Sequence, residues 1–326
     1  MMNLLRVLLC AVLVLGCSKK EPEETFTKGS ANIGVSDAVY DLAFYTADTY
    51  CDVHPQADIT VWRRTTPSLL DSLINNRAEE ALIDRALSQE ESLTFTLHQM
   101  KLFTYPVAHY PTYLLVADSN KVEFVDSVGL KRILEGSATS WKEFGGDDLA
   151  ITPYAPLPGD GAWTSLLNFY GDFDSLAAVI CSTGTQMLQL SRDDPGALLI
   201  YSKKVADASG YKKLRWAENE LRIPANAKTI MESPRWPFMT TFTYVTTHMK
   251  ADVAAGYLTF LVSNEGQKLV MNQGYRPASV PVRIIQLKSP DKTDEHDEFE
   301  SDSIGTDSTK LDSTEQDTTS KARLAH

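Results

Sequence analysis

The chain has 326 residues, 43% of them hydrophobic, and a formal net charge of −12. That length is long for one core and natural for two lobes. The acidic balance and the lack of a basic face exclude the electrostatic footprint that nucleic-acid binding requires.

In chain order, the first segment reads as a targeting signal. Arg6 supplies the positive start, Val7 to Leu15 the apolar run, and Gly16 precedes Cys17, after which Ser18, Lys19 and Lys20 end the apolar stretch. The run is too short for a permanent spanning helix, which needs about 20 apolar residues. The tetrapeptide VLGC resembles a lipobox. Residues 1–16 are therefore expected to be a signal peptide, Cys17 the lipid-modified first residue of the mature chain, and residues 17–27 a lipidated tether. The alternatives are an ordinary signal cleaved nearby or an uncleaved anchor. Stable attachment takes more than one acyl chain. The expected location is exported and membrane-anchored, facing the periplasm or the cell surface.

Strands and helices then alternate. Ala31–Val35 reads as a strand, with Ser36 and Asp37 capping a helix over Ala38–His54. Ala57–Arg63 is a second strand. Thr65 to Ser68 open a helix in which Pro67 sits early, where a missing N–H costs little. Ala78–Asp84 is a third strand, and Leu93–Tyr110 with Pro111–Asp118 reads as one long apolar, β-branched strand. A second set follows: helix Ser127–Gly136, strand Leu149–Pro156, a glycine-rich turn opening the helix of Pro158–Tyr170, strand Ala177–Ser182, helix Thr185–Asp194 stopped by Pro195-Gly196, and strand Ala197–Ser202. Phe238–Thr247 alternates as a long strand, and a final helix within Ala251–Tyr275 is expected to break near Ser263-Asn264. The pattern implies an α/β fold with mostly parallel sheets.

From Ser289 to His326 the chain holds 11 Asp or Glu against four Lys or Arg. With so little apolar surface to offset ordering entropy, residues 288–326 read as an acidic disordered tail. Attraction of a metal or partner is the alternative reading. Cys51 and Cys181 are the cysteines left after the signal and anchor. An oxidising compartment permits a disulfide, but they fall in different expected lobes and read as small buried apolar side chains. No CxxC, Cys/His cluster or Ser-His-Asp set stands out, so no metal site, cofactor or catalytic residue is expected and the chain does not read as an enzyme.

Five ordered stretches carry a resemblance: KGSANIGVSDAVYDLA; NNRAEEALIDRALSQEE; YPVAHYPTYLLVAD with LKRILEGSATSWKEFGG; DDPGALLIYSKKV; and WPFMTTFTYVTT with FLVSNEGQKLVMNQGYRPASVPVRIIQL. The chain resembles the phosphate-type extracytoplasmic solute-binding lipoproteins of ABC transporters. The resemblance implies a two-lobed periplasmic-binding-protein-like fold, with two α/β lobes joined by two crossing strands around a ligand cleft. Lobe one would span 28–105 plus 236–287 and lobe two 106–235, with crossings near Ala108–Pro111 and Phe238–Thr241. It also implies phosphate or a related oxyanion as ligand and an ABC permease as partner, with hinge closure as the signal.

Helix N-termini offer free N–H groups and a positive dipole end to an oxyanion. The resemblance places Ser36, Asp37 and Ala38 at the first helix start, and Thr65, Thr66 and Ser68 at the second. Asp84 and Arg85 follow the third strand; the bland reading of that pair is a surface ion pair. The fourth loop departs from the family: Pro156 falls near a usual Arg, Asp160 at a usual Ser and Ala162 at a usual Thr. Gly161 keeps the turn tight, and Thr164 offers a hydroxyl only if the loop is offset. A carboxylate about 4 Å from a bound anion costs roughly 4 kcal/mol at an effective dielectric of 20, about three decades in affinity. Asp160 therefore points away, caps its own helix, or marks a ligand other than phosphate. Arg63 or Arg235 would be the replacement charges. The competing expectation is a surface or periplasmic interaction lipoprotein that keeps the fold and has lost oxyanion binding.

Overall fold

A computed structural model describes residues 24–173, 175–204, 208–224 and 236–279. The signal segment, Cys17, Arg235 and the acidic tail lie outside the described residues. Residues 1–282 group as one compact unit and 283–326 as another; everything below concerns the first.

The first sheet has the strand order β14-β4-β13-β3-β1-β2. Its strands are β1 (Lys28–Val35), β2 (Gln56–Arg63), β3 (Glu80–Ile83), β4 (Phe103–Pro111), β13 (Met239–Thr246) and β14 (Arg276–Pro277). β1 runs parallel to β2 in register from Lys28–Gln56 to Val35–Arg63, and parallel to β3. Ile33, Val35, Leu82 and Ile83 are fully buried, as strands covered on both faces require. The second sheet has the order β10-β5-β9-β7-β8, built from β5 (Tyr113–Ala117), β7 (Thr152–Pro156), β8 (Val179–Cys181), β9 (Ala197–Tyr201) and β10 (Tyr211–Lys213).

The expectation of mostly parallel sheets needs correction. β13 is antiparallel to β3 and β4, β14 to β4, and β5 to both β9 and β10. β5 follows β4 with only Thr112 between them, so that step contains no crossover helix of the kind parallel neighbours need. A small third sheet, β12-β11-β6, joins β6 (Phe124–Asp126), β11 (Arg215–Glu218) and β12 (Leu221–Ile223); it was not expected.

The helices are α1 (Tyr40–Val53, entered by a 3-10 turn at Asp37–Val39), α2 (Thr66–Ile74), α3 (Gln89–Leu97), α4 (Ser127–Leu134), α5 (Gly161–Tyr170), α6 (Gly184–Ser191), α7 (Val253–Val262) and α8 (Asn264–Asn272). The segment LTFTL, expected as strand, is the end of α3. Ser88 and Glu91 form a capping box: Ser88 Oγ accepts from Glu91 N at 3.1 Å, and the Glu91 carboxylate accepts from Ser88 N at 2.8 Å. Two satisfied helix-start donors outweigh the β propensity of two threonines and a phenylalanine. The expected break between α7 and α8 is present: Ser263 is extended and its hydroxyl accepts from Gly266 N.

The chain passes from the first sheet to the second at Thr112, between β4 and β5. Thr112 N donates to Phe238 O at 2.8 Å, and Trp236 Nε1 donates to Thr112 O at 3.0 Å. The two crossing segments are thus bonded to each other. The boundary expected at residue 105 falls inside β4, whose pairing continues to Pro111. Phe238 packs among Trp216, Phe169 and Trp236, and Trp141 is fully buried with its Nε1 on Gly196 O. Cys51 and Cys181 are free thiols.

Candidate ligand cleft

Three helices begin at the seam between the two large sheets: α2 in the lobe of the first sheet, α5 and α6 in the lobe of the second. The first N–H of a helix has no partner in its own turn. Here each one donates to a carboxylate of the opposite lobe. Thr66 N donates to Asp160 Oδ1 at 3.1 Å. Gly161 N donates to Asp84 Oδ2 at 2.9 Å. Gly184 N donates to Asp37 Oδ2 at 2.8 Å. Thr66 also donates its hydroxyl to Asp84 Oδ1 at 2.6 Å, so one threonine ties Asp84 and Asp160 together.

The sequence places these groups simply. Asp37 lies two residues past the end of β1, Asp84 directly follows β3, and Asp160 closes the turn after β7. They stand at the carboxyl ends of parallel strands, where open α/β sheets hold ligands. Asp160 is the N-cap residue of α5, yet its side chain makes no cap hydrogen bond. It neither points away nor caps its own helix; it reaches across the seam. The approach is close. A Cβ on Gly161 would lie 2.0 Å from Asp84 O, and one on Gly159, whose φ is +90°, would lie 2.7 Å from Pro67 Cγ.

Asp84 and Asp160 are 2% and 8% exposed. Burial pushes the Asp160 carboxyl up to about 7, and the negative charges of Asp84 and Asp37 add to the rise against the Thr66 N–H and Arg85. Asp84 is raised as well, chiefly by burial, against the Thr66 hydroxyl and the Gly161 N–H. Both carboxyls are thus held above the ordinary carboxylate range, and the charge of each opposes ionisation of the other.

Arg85 relieves this only in part. Its guanidinium forks onto Glu91 at 2.7 Å from both Nη atoms, and its Nε donates to Gly159 O at 2.7 Å. Arg85, expected beside the ligand with a surface ion pair as its bland reading, instead forms a half-buried pair with Glu91. Asp37 has the cations instead: Arg63 Nη1 at 3.3 Å and Lys203 Nζ at 3.7 Å, with Lys203 also 3.5 Å from Asp41. Arg63 lies over the Tyr40 ring at 3.9 Å.

Of the residues expected at the site, the structure brings together Asp37, Ala38, Thr66, Asp84, Asp160 and Gly161. Ser36 is buried beside them, its hydroxyl without a hydrogen-bond partner among the described residues. Thr65 is spent as the cap of α2, accepting from Ser68 N and donating to Ser68 Oγ, and Ser68 is exposed. Ala162 is fully buried. Thr164 turns its hydroxyl back onto Asp160 O at 3.0 Å. Tyr201 and Ser202 line the cleft, while the Tyr110 hydroxyl bonds Lys203 O and His109 bonds Thr241. Sequence reading missed Gly184, its cap Thr183 and Lys203. The run Ser182-Thr183-Gly184-Thr185, small and polar directly after a strand, was the available signal. The space left between these groups is about 20 Å³, room for about one water.

A family profile described as the PBP superfamily domain matches residues 20–265. The chain is 24% identical over 260 residues to the phosphate-binding protein PstS of Bacillus subtilis (strain 168), covering 78% of this chain and 83% of that protein. Among solved structures it is similar to one from Clostridium perfringens, described as a phosphate ABC transporter substrate-binding protein with bound phosphate. The TM-score is 0.68 at 18% identity, with 77% of this chain and 100% of that one covered. An ABC-type phosphate transport receptor from Vibrio cholerae matches with a TM-score of 0.58 at 21% identity, covering 76% of this chain and 99% of that one. At such identities these structures speak for the fold.

Proposed function

This chain belongs to the PBP superfamily, and we propose that it is an exported receptor that captures phosphate or a related oxyanion for an ABC importer. The observation that carries the reading is the set of three helix starts, each of whose first N–H already holds an oxyanion supplied by the facing lobe. Donors that fit a carboxylate also fit the oxygens of a tetrahedral anion. The names of the Bacillus subtilis and Clostridium perfringens proteins point to the same ligand.

In this reading the N–H groups of Thr66, Gly161 and Gly184 take ligand oxygens, and the Thr66 hydroxyl adds a neutral donor. Asp84 accepts the proton of a protonated anion, which sulfate lacks. The strands on either side of Thr112 and Phe238 form the hinge, with residues 28–111 and 239–277 as one lobe and 113–223 as the other. Cys17 carries the lipid that keeps the receptor beside its permease. Titration calorimetry with phosphate, arsenate, sulfate and molybdate tests the ligand. Heat is expected with phosphate and arsenate; silence with all four, on folded protein, contradicts the reading. Labelled palmitate should enter the full chain and be lost in Cys17→Ala; label retained in that variant contradicts the anchor.

One observation favours a second reading, a surface or periplasmic interaction lipoprotein that has lost oxyanion binding. The donors are bonded to the chain's own carboxylates, and about 20 Å³ remains between them. The same calorimetry separates the two readings.

A further inference from the structure

The carboxylate of Asp160 sits where a ligand oxygen would sit, yet it belongs to the lobe facing α2. It is bonded to the first N–H of that helix at 3.1 Å, leaves its own helix uncapped, and is 8% exposed. Asp84 returns the arrangement from the other lobe, onto the first N–H of α5. We propose that Asp160 is the cleft's built-in anionic ligand: it latches the two lobes together and must leave the N-terminus of α2 before an external oxyanion can take that place.

The latch stands on cross-lobe bonds alone, while the statement about an external oxyanion rests on the proposed function. Three features make the role of Asp160 specific. A free N-cap aspartate ordinarily turns to the second or third N–H of its own helix, and here it does not. The cation beside it, Arg85, is hydrogen-bonded to Glu91 and offsets its charge only in part. The glycines on either side allow the loop to press onto Pro67 and the Asp84 carbonyl, closer than any side chain permits. An external dianion entering beside the two aspartates meets their charge; one that displaces Asp160 into solvent does not. Affinity is therefore set by how readily Asp160 leaves.

The latch also senses pH. The groups facing Asp160 are Asp84, Asp37 and Arg85; Arg63 and Lys203 face Asp37, and Glu91 faces Arg85. The latched form holds a proton that the solvated, unlatched carboxylates release. It is favoured below about pH 7 and weakened as the pH rises through that value.

Small-angle scattering with phosphate calorimetry on the exported part of the chain tests this. Wild-type protein without added anion should have the radius of gyration of joined lobes at pH 6 and a larger one at pH 8.5. Asp160→Ser should be expanded at both pH values, contract on adding phosphate, and bind it at least about tenfold tighter, up to roughly three decades. Asp160→Asn keeps an acceptor for Thr66 N, so it should stay compact at both pH values. Equal radii for wild type and Asp160→Ser without phosphate, or expansion of Asp160→Asn, would overturn the latch. Should Asp160→Ser expand yet ignore every oxyanion, the latch stands and the oxyanion reading falls. Circular dichroism melts identify any variant that has not folded, in which case Asp160→Asn decides alone.

Discussion

Three aspartates share this cleft, and the fold treats one of them differently from the other two. Asp37 accepts from the start of α6 and has Arg63 and Lys203 beside it. Asp84 and Asp160 accept from the starts of α5 and α2 and face each other, and Arg85, committed to Glu91, offsets them only in part. The same device, a carboxylate on a helix N-terminus, is compensated in one place and left in tension in the other. A compensated pair fixes the lobes in place; an uncompensated pair can be pushed off by a proton leaving or an anion arriving. The cleft thus separates alignment, at Asp37, from release, at Asp84 and Asp160.

The largest expected effect comes from closing the space that the tense pair needs. Gly161→Ala puts a methyl 2.0 Å from the Asp84 carbonyl; the lobes should fail to seat, at a cost of about 3 kcal/mol, seen as an expanded scattering radius with helix content unchanged. Next is Asp84→Asn, which removes the repulsion that helps lift Asp160. The wild-type native state binds a proton that the unfolded chain does not, so its stability should fall as the pH rises from 5 to 8, by about 3 kcal/mol at most. Urea titrations should show that slope flattened in the variant; an unchanged slope would assign the pH dependence elsewhere, with Glu80, also raised to about 7 by burial, the first place to look. On the compensated side the effects should be smaller. Lys203→Met leaves Arg63 on Asp37 and should cost about 1 kcal/mol, shrinking further in high salt. Gly184→Ala meets the flexible Lys203 side chain at 2.8 Å and the Tyr201 ring at 3.2 Å; the lysine can give way, and the melting temperature should move by less than that of Lys203→Met.

The sequence made much of this legible where local chemistry decides. The alternation of strands and helices, the Pro67 start of α2 and the break at Ser263 are all written in short-range signals. The start of α3 was equally local, at Ser88 and Glu91, and was overlooked because the β-branched run after it pointed the other way. Parallel or antiparallel pairing was not legible, since the direction of β4, β5 and β13 is set by partners distant in the chain, such as β13 with β3 and β4. Asp37, Thr66 and Asp160 were visible as polar residues at helix starts, and Asp84 as the residue after the third strand. Their partners were not, because every bond that defines the site joins residues far apart in sequence, such as Thr66 with Asp160 and Asp37 with Gly184. The repulsion expected between Asp160 and a bound anion acts inside the chain as well: the carboxylate opposes Asp84 while serving α2.

The most direct measurement follows the backbone amides of Thr66, Gly161 and Gly184 by nitrogen–proton correlation spectroscopy as phosphate is added to the exported part of the chain. The expected result is that all three shift together along one binding curve, with the Thr66 amide showing the exchange of Asp160 for a phosphate oxygen. Phosphate binding that leaves these three amides unmoved, or three amides indifferent to every oxyanion offered, would contradict the assignment of this cleft as an oxyanion cradle.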